Sequence, residues 1–384
     1  VKIWLHIVVG LFVVLLWLPI SQTAFHWLPE ASLAGVEKTP PTPVFRPSAW
    51  WDGALQDRFD PWFNAKVGLR GWMVRTYNQV NYSVFGKFAA SGTKVIQGRE
   101  GVLFEKVYVD AFRDPRKRTE KDLRDVCGGV RELQDRLKER GVAFLLVVAP
   151  SKAEILPEYL PAGIDVAGRA GKRSARDDLA ALLDEYGIHH LDMNETFKEW
   201  KAAGAPPLFA KGGTHWNHYA AARVVGMILD ALREQGKRSM PVLKVTGAVT
   251  NSVVWGADND LGDLLNLWTS PQFAGPQIHP VLEKAVSDPL PDILFIGDSF
   301  VLTLTRVMDD EGLYRKRDTF YYFNRRYAYP GKVEEPIDKA KFDLAAELEG
   351  RDAVVIEINE YWLPRIGFGF VKAGLKALRG DRGG

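Results

Sequence analysis

Short, almost wholly apolar runs bounded by turn residues are what most constrains this chain. Residues 143–148, 293–296 and 353–358 are such runs, and they read as strands buried on both faces rather than half-exposed ones. Helical patterns are predicted over 118–140, 174–186, 217–235, the residues after Ser299, 337–348 and 369–378. Further strands are predicted at 188–191 and near 320–323. Over 217–235, Asn217 is the expected N-cap, Ala221, Val224, Ile228 and Leu232 share a face, and Gly236 is the expected stop. Strands alternating with helices predict an α/β fold, a parallel sheet with helices on both faces. Ligands then bind at the carboxyl ends of the strands.

The N-terminal end follows different rules. Lys2 precedes an apolar run over 3–20, interrupted only by His6, Gly10 and Pro19. About 18–20 apolar residues cross a bilayer core, whereas a secretory apolar region is usually about 7–15. The reading is an uncleaved signal anchor with its basic end inside, a cleaved signal peptide being the alternative. Either way the body of the protein is exported. A proline-rich stretch over 37–47 predicts an extended spacer. Residues 50–88 carry an aromatic, helical pattern (Phe59, Trp62, Phe63, Trp72, Tyr77), and 98–104 read as a turn feeding a strand. The expected division is an anchor at 1–24, a spacer and helical extension at 25–90, and one large domain at 91–384.

Composition narrows the classes. Over 384 residues the formal charge is only +2, without the clustered basic face that nucleic acid requires. The C-terminal Lys372, Lys376, Arg379 and Arg382 read as a solvated face. Twelve tryptophans suit a carbohydrate binder, although large cores use the same residue. Cys127 is the only cysteine, so there is no intrachain disulfide and no Cys-based metal site. His-Glu-x-x-His spacing is absent too, and neither metal nor cofactor is expected.

Two stretches carry chemistry. Gly297-Asp298-Ser299-Phe300 follows the apolar run 293–296, and Thr214-His215-Trp216-Asn217 lies some eighty positions earlier. A serine at the end of a buried strand, opening a helix, is a nucleophile whose own N–H and helix dipole favour an oxyanion. Gly297 lets the backbone turn, and Asp298 reads as a brace. His215, just before a capped helix, is the base, with Trp216 as a pocket wall. His218 is expected to face solvent, His189 and His190 to pack or lie on the surface, and His279 to sit in a loop without partners. A third group should orient the imidazole. Asp192, Asp260 and Asp263 are the candidates, and a backbone carbonyl giving a Ser-His dyad is the other option. Asn359, Tyr322, Asn324, Arg325 and Arg326 follow predicted strands and are candidates for oxyanion or substrate contacts.

The histidine block preceding the serine block resembles the SGNH-hydrolase-like exopolysaccharide O-acetyltransferases of the alginate type. The resemblance covers most of the chain, including the N-terminal anchor, residues 63–70, 98–104 and 151–157, Leu208-Phe209 leading to His215-Trp216-Asn217, and Gly297-Asp298-Ser299-Phe300. It implies a bacterial periplasmic enzyme, held at the inner membrane, that takes acetyl groups exported by a membrane-bound O-acyltransferase and transfers them to polysaccharide hydroxyls. By position, Ser299 is the nucleophile and His215 the base. The family's Asp-x-His-Trp becomes Gly213-Thr214-His215-Trp216 here, so the acid does not carry over. The chain ends soon after the catalytic domain, which implies a layout without a C-terminal carbohydrate-binding module. A carbohydrate esterase on the same residues, or a polysaccharide-binding scaffold suggested by Gly213, are the competing readings.

Overall fold

Eleven strands form among the described residues: β1 (Val95–Gln97), β2 (Leu103–Glu105), β3 (Ala143–Ala149), β4 (His190–Asp192), β5 (Val242–Asn251), β6 (Gln277–Ala285), β7 (Asp292–Gly297), β8 (Lys316–Tyr321), β9 (Arg325–Tyr329), β10 (Val333–Pro336) and β11 (Ala353–Asn359). They are seen in a computed structural model that describes residues 2–35, 40–88, 94–115, 119–169, 172, 174–236, 240–269, 273, 275–286, 288–363 and 365–379. Residues 37–39 of the expected spacer, Arg118 and Arg382 fall outside these. The chain divides into two compact units, one of Val1–Thr93 with Gly262–Ser270, the other of Lys94–Leu261 with Pro271–Gly384.

The larger unit is built on a seven-stranded sheet of order β10-β9-β8-β7-β11-β3-β4. From β8 to β4 neighbouring strands are parallel, whereas β9 and β10 run antiparallel at one edge. The apolar runs explain the parallel part. Leu145, Val147, Phe295 and Val355 pack on one face with the helices His218–Gln235 and Ser299–Glu311. Their neighbours Leu146, Val148, Leu294 and Val354 pack on the other with Glu120–Glu139, Ala175–Glu185 and Phe370–Leu378. Alternate side chains of a strand point to opposite faces, so a strand covered on both sides has to be apolar throughout. Each such side chain contributes about 1.5–3 kcal/mol of burial, and a polar substitution in Leu146 or Phe295 would break the sandwich.

Local chemistry sets the helix starts. Asn217 Oδ1 accepts the Ala220 N–H at 3.0 Å, and Ala221, Val224, Ile228 and Leu232 are buried together. Gly236 does follow the last turn, but in an extended conformation with φ −100°. Its left-handed freedom is therefore not what ends the helix. The helix expected over 337–348 is shortened to Leu344–Leu348, capped by Asp343. Ile337 is buried and its N–H donates to Asn324 O at 2.9 Å, which holds the preceding residues in the tail of the β9–β10 edge. Two features escaped sequence reasoning: this antiparallel edge, and the hairpin of β5 with β6.

The smaller unit begins with the helix Lys2–Phe25, whose Ile3–Phe25 segment is long and apolar enough to cross a membrane. The helices Ala54–Lys66 and Arg70–Phe85 follow.

Candidate active site

Ser299 stands where β7 meets the helix Ser299–Glu311, half-buried. The turn is held from beneath. Asp298 caps the helix by accepting the Phe300 N–H at 3.0 Å, and its other oxygen accepts the Asn359 N–H at 2.8 Å. Its own N–H donates to Glu357 Oε2 at 3.2 Å. Burial raises the Glu357 carboxyl well above the usual range, and the Asp298 charge raises it further. Glu357 therefore carries the proton of this buried pair. It also explains Gly297, whose φ is not left-handed: a Cβ there would lie 2.6 Å from Glu357 Oε2 and 2.8 Å from Val301 Cβ. Close approach, rather than backbone turning, demands the glycine.

Two further groups converge on Ser299. Tyr322 has its N–H bonded to Gly297 O at 2.8 Å, and its phenol, raised chiefly by burial, lies near enough to the Ser299 hydroxyl for that group to offset part of the rise. Both Tyr322 and Phe323 adopt positive φ, 48° each, a conformation costly for bulky residues and found where a side chain must be aimed. Asn359 ends β11. The parallel register pairs Ala353 with Ile293 and Ile356 with Ile296, and the same offset brings Asn359 alongside Ser299. Its Oδ1 accepts the Tyr361 N–H at 3.0 Å, while its buried Nδ2 has no hydrogen-bond partner among the described residues. An oriented donor left unmet is what an oxyanion site needs.

His215 is buried, and the ring of Phe300, the residue after Ser299, lies 4.7 Å from its imidazole between centroids. Its Nδ1 is 2.8 Å from Asp260 Oδ2. Asp260 Oδ1 accepts the Thr214 N–H at 2.8 Å, so one carboxylate fixes both the loop and the ring. Both ring nitrogens are buried and neither is aligned with a hydrogen-bond partner among the described residues, so Nδ1 meets Asp260 as a close ion pair. Burial alone pulls the imidazole pKa down, but the nearby carboxylate of Asp260, with Asp298 and Glu105, reverses this and leaves it raised.

The loop before His215 is stapled from the other side. Lys152, buried, donates to the carbonyl oxygens of Leu103, Ala210, Lys211 and Gly213 at 2.8, 2.6, 3.0 and 2.8 Å. Gly213 is pressed against the segment that leads to Asp260: a Cβ would stand 3.0 Å from the carbonyl oxygens of Ala257 and Asp258. Glu105, at the end of β2, adds a third carboxyl beside the imidazole and accepts from Thr214 Oγ1 at 3.4 Å. Nothing in the local sequence around Glu105 singles it out, because it reaches the site through the β1–β2 hairpin.

Several expected site residues are employed elsewhere. Asp192 caps the helix Met193–Ala202 and pairs with Arg176 at 2.6 Å, so it is not the orienting acid. Asp263 belongs to the other compact unit. Trp216 is fully buried against Phe300 and Phe197, with its indole N–H donated to Thr303, and so packs the core instead of walling a pocket. Arg325 pairs with Glu334, and Arg326 with Asp318 at 2.8 Å and Glu347 at 3.1 Å; both brace the antiparallel edge. Asn324 closes the turn between β8 and β9, its N–H on Tyr321 O at 3.1 Å. His218 does not face solvent: it stacks on Trp255 at 4.2 Å and meets His279 on β6 at 3.1 Å. Among the described residues no group of three or more His, Cys, Asp or Glu side chains is arranged to hold a metal ion.

A family model described as "SGNH hydrolase-like domain, acetyltransferase AlgX" matches residues 95–306. The chain is 25% identical over 194 residues to the probable alginate O-acetylase AlgJ of Pseudomonas aeruginosa, a match spanning 50% of this chain and 45% of that protein. It thus spans less than half the length of this relative. Among solved structures, the O-acetyltransferase domain of Pseudomonas putida AlgJ aligns with a TM-score of 0.43 at 16% identity, over 74% of this chain and 99% of that one. Bacillus cereus PatB1 carrying a sulfonyl adduct aligns with a TM-score of 0.44 at 10% identity, over 72% and 97%.

Proposed function

The chain belongs to the SGNH hydrolase-like acetyltransferase family of the AlgX type, and from that premise we propose that it transfers acetyl groups to hydroxyls of an exopolysaccharide through an acetyl-serine at Ser299. The observation that carries the reading is the His215–Asp260 pair, with Nδ1 2.8 Å from the carboxylate and Nε2 unpartnered. A family member whose usual acid position is Gly213 has its carboxylate delivered from another loop. Support also comes from the Tyr322 phenol beside Ser299 and the unmet Asn359 Nδ2.

In the proposed cycle His215 takes the Ser299 proton as Oγ attacks the acetyl carbonyl of an activated donor. The leaving group departs with that proton. The oxyanion is met by backbone N–H groups at the helix start and by Asn359 Nδ2. A sugar hydroxyl then gives its proton to His215 and attacks the acetyl-serine, and Oγ regains the proton as it leaves. Transfer exceeds hydrolysis where the acceptor hydroxyl is held in place better than water, an effective-molarity effect. The helix Ile3–Phe25 supports anchoring at the bacterial inner membrane with the catalytic unit in the periplasm, where a membrane-bound O-acyltransferase is the proposed acetyl source.

Intact mass of the full chain in nanodiscs tests this, after an activated acetyl ester and then an oligosaccharide are added. A serine-dependent adduct that passes to the sugar supports transfer. An adduct lost only to water makes the protein an esterase. No adduct, with a donor competent on a control enzyme, leaves a polysaccharide-binding scaffold.

A further inference from the structure

The helix Arg70–Phe85 is built inside out. Its polar side chains serve the protein: Arg75 Nη1 donates to Leu267 O at 2.6 Å, Asn78 Nδ2 to Leu265 O at 2.9 Å, and Gln79 Oε1 accepts the Trp268 N–H at 3.0 Å. Trp72 joins them with its ring 4.8 Å from Trp268. The opposite face is a stripe of Met73, Tyr77, Val80 and Val84, at the i, i+4, i+7 and i+11 spacing that aligns residues on one side of a helix. These four are 46%, 64%, 49% and 66% exposed. By helical rise the stripe runs about 16 Å. A surface helix normally turns its apolar stripe inward and its polar residues to water; here the assignment is reversed within one element.

What covers the stripe follows from where the helix begins. The turn leading into it is locked onto the last turns of the helix Lys2–Phe25. Gly68 donates its N–H to Thr23 Oγ1 at 2.7 Å, and a Cβ on Gly68 would lie 2.6 Å from Gln22 Cβ. Leu69 N–H donates to Glu30 Oε1 at 2.6 Å, and Trp72 Nε1 donates to Pro29 O at 2.9 Å. The stripe therefore starts where the apolar segment Ile3–Phe25 ends, at the level of the headgroups if that segment spans a bilayer. The neighbouring exposed side chains are those of an interface: Trp51 is 90% exposed, and Phe59 and Phe63 on the preceding helix are stacked and open to solvent. Aromatic rings concentrate at the headgroup boundary.

We propose that the face Met73–Tyr77–Val80–Val84 docks into the outer leaflet of the same bilayer, between headgroups and acyl chains, as an interfacial helix. The proposal rests on the membrane-anchor reading of the first helix and is independent of the acetyl-transfer chemistry.

The test uses the full chain in nanodiscs, with Cys127→Ala to remove the native thiol. A bimane label is placed singly at Tyr77→Cys, Val80→Cys or Val84→Cys, and at Val13→Cys as the reporter of the span. Lipids carrying a nitroxide near the headgroup, lipids carrying it deep in the chain, and aqueous iodide are the quenchers. Expected is at least a twofold loss of stripe fluorescence with the shallow nitroxide and less with the deep one, while Val13→Cys responds most to the deep one. Stripe labels quenched by iodide and by neither lipid, with Val13→Cys still quenched, overturn the docking and leave the anchor standing. Labels shielded from all three quenchers mean a protein partner or a second copy covers the face, which also overturns it. If Val13→Cys meets no lipid quencher, the anchor reading and this one fall together. Thermal unfolding of each labelled variant must match the unlabelled chain, which excludes misfolding as the cause.

Discussion

A Cβ on Gly213 would stand 3.0 Å from the carbonyl oxygen of Asp258, two residues before the carboxylate that meets His215 Nδ1 at 2.8 Å. The resemblance implies an acid at the position of Gly213; here the segment 257–260 presses on that position and carries Asp260 with it. A side chain at position 213 would require these carbonyls to give by a few tenths of an ångström. Asp260→Asn should lower kcat roughly a thousandfold or more, the scale of losing the orienting acid of a triad. Gly213→Asp in the same chain should not restore it, and should itself cost about 1–3 kcal/mol of stability through overpacking. Single-turnover acetylation rates and urea midpoints of the single and double variants check both statements. Restored activity in the double variant would mean the loop yields.

The same pair sets a pH dependence. The folded imidazole is raised above its ordinary value of 6.5 by Asp260 and its neighbours despite burial. The charged form is therefore favoured in the folded state. Its contribution to stability is complete below the unfolded value and is lost as pH rises through the raised folded value. Activity runs the other way, because His215 must be neutral to accept the serine proton. Asp260→Asn should move the acidic limb of kcat/KM to lower pH and flatten the stability profile around neutrality. Rate profiles and urea titrations between pH 5 and 9 measure each. An unmoved acidic limb would assign it to another group, with Glu105 the nearest candidate.

In the proposed cycle Asn359 meets the oxyanion and Tyr322 stands beside the serine hydroxyl, and their removal should differ. Asn359→Ala deletes an oriented donor, and the expected loss is a hundredfold to a thousandfold in kcat with little change in KM, as for an oxyanion donor. Tyr322→Phe removes a phenol oxygen beside a half-buried hydroxyl, and the expected loss is that of one polar contact, about 1 kcal/mol, or roughly fivefold. Intact-mass kinetics of acetyl-serine formation separate the two. Equal losses would argue that Tyr322 also meets the oxyanion.

How much of this was readable beforehand follows the range of the interactions. The strands around Leu146, Phe295 and Val355 and the capped helix at Asn217 declare themselves locally, and the structure has them within a few residues of expectation. The strand–turn–helix setting of Ser299 and the loop and capped helix around His215 were legible because both are local patterns. Asp260 was only one of three candidates, since its choice depends on a loop meeting Gly213 across some fifty residues of chain. Asp192 looked equally suitable until Arg176 claimed it. Glu105 and Glu357 gave no signal because each is recruited by tertiary contact, and Lys152 stood out only as part of the stretch 151–157, its role being set by tertiary contact too. Tyr322 was named by position, but its aim at Ser299 depends on a left-handed backbone that no propensity predicts for tyrosine.

Glu357 offers the last test, because its charge state and its shape are separable. The carboxyl is buried against Asp298 and raised well above its ordinary value of 4.5. Below that value both folded and unfolded chains hold the proton. Above it the unfolded chain releases the proton while the folded chain keeps it, so stability falls as pH rises towards the folded value. Glu357→Gln keeps the volume, still accepts the Asp298 N–H and donates to the Asp298 carboxylate. It should therefore be at least as stable as the wild type, with the gap widening between pH 5 and 8. Gly297→Ala presses a methyl to within 2.6 Å of Glu357 Oε2 and should destabilise by about 1–3 kcal/mol at every pH, with acetylation lost as the serine turn shifts. Urea midpoints of the three chains across that range decide it. A Glu357→Gln variant less stable than wild type throughout would mean that the folded protein uses the glutamate as a charge.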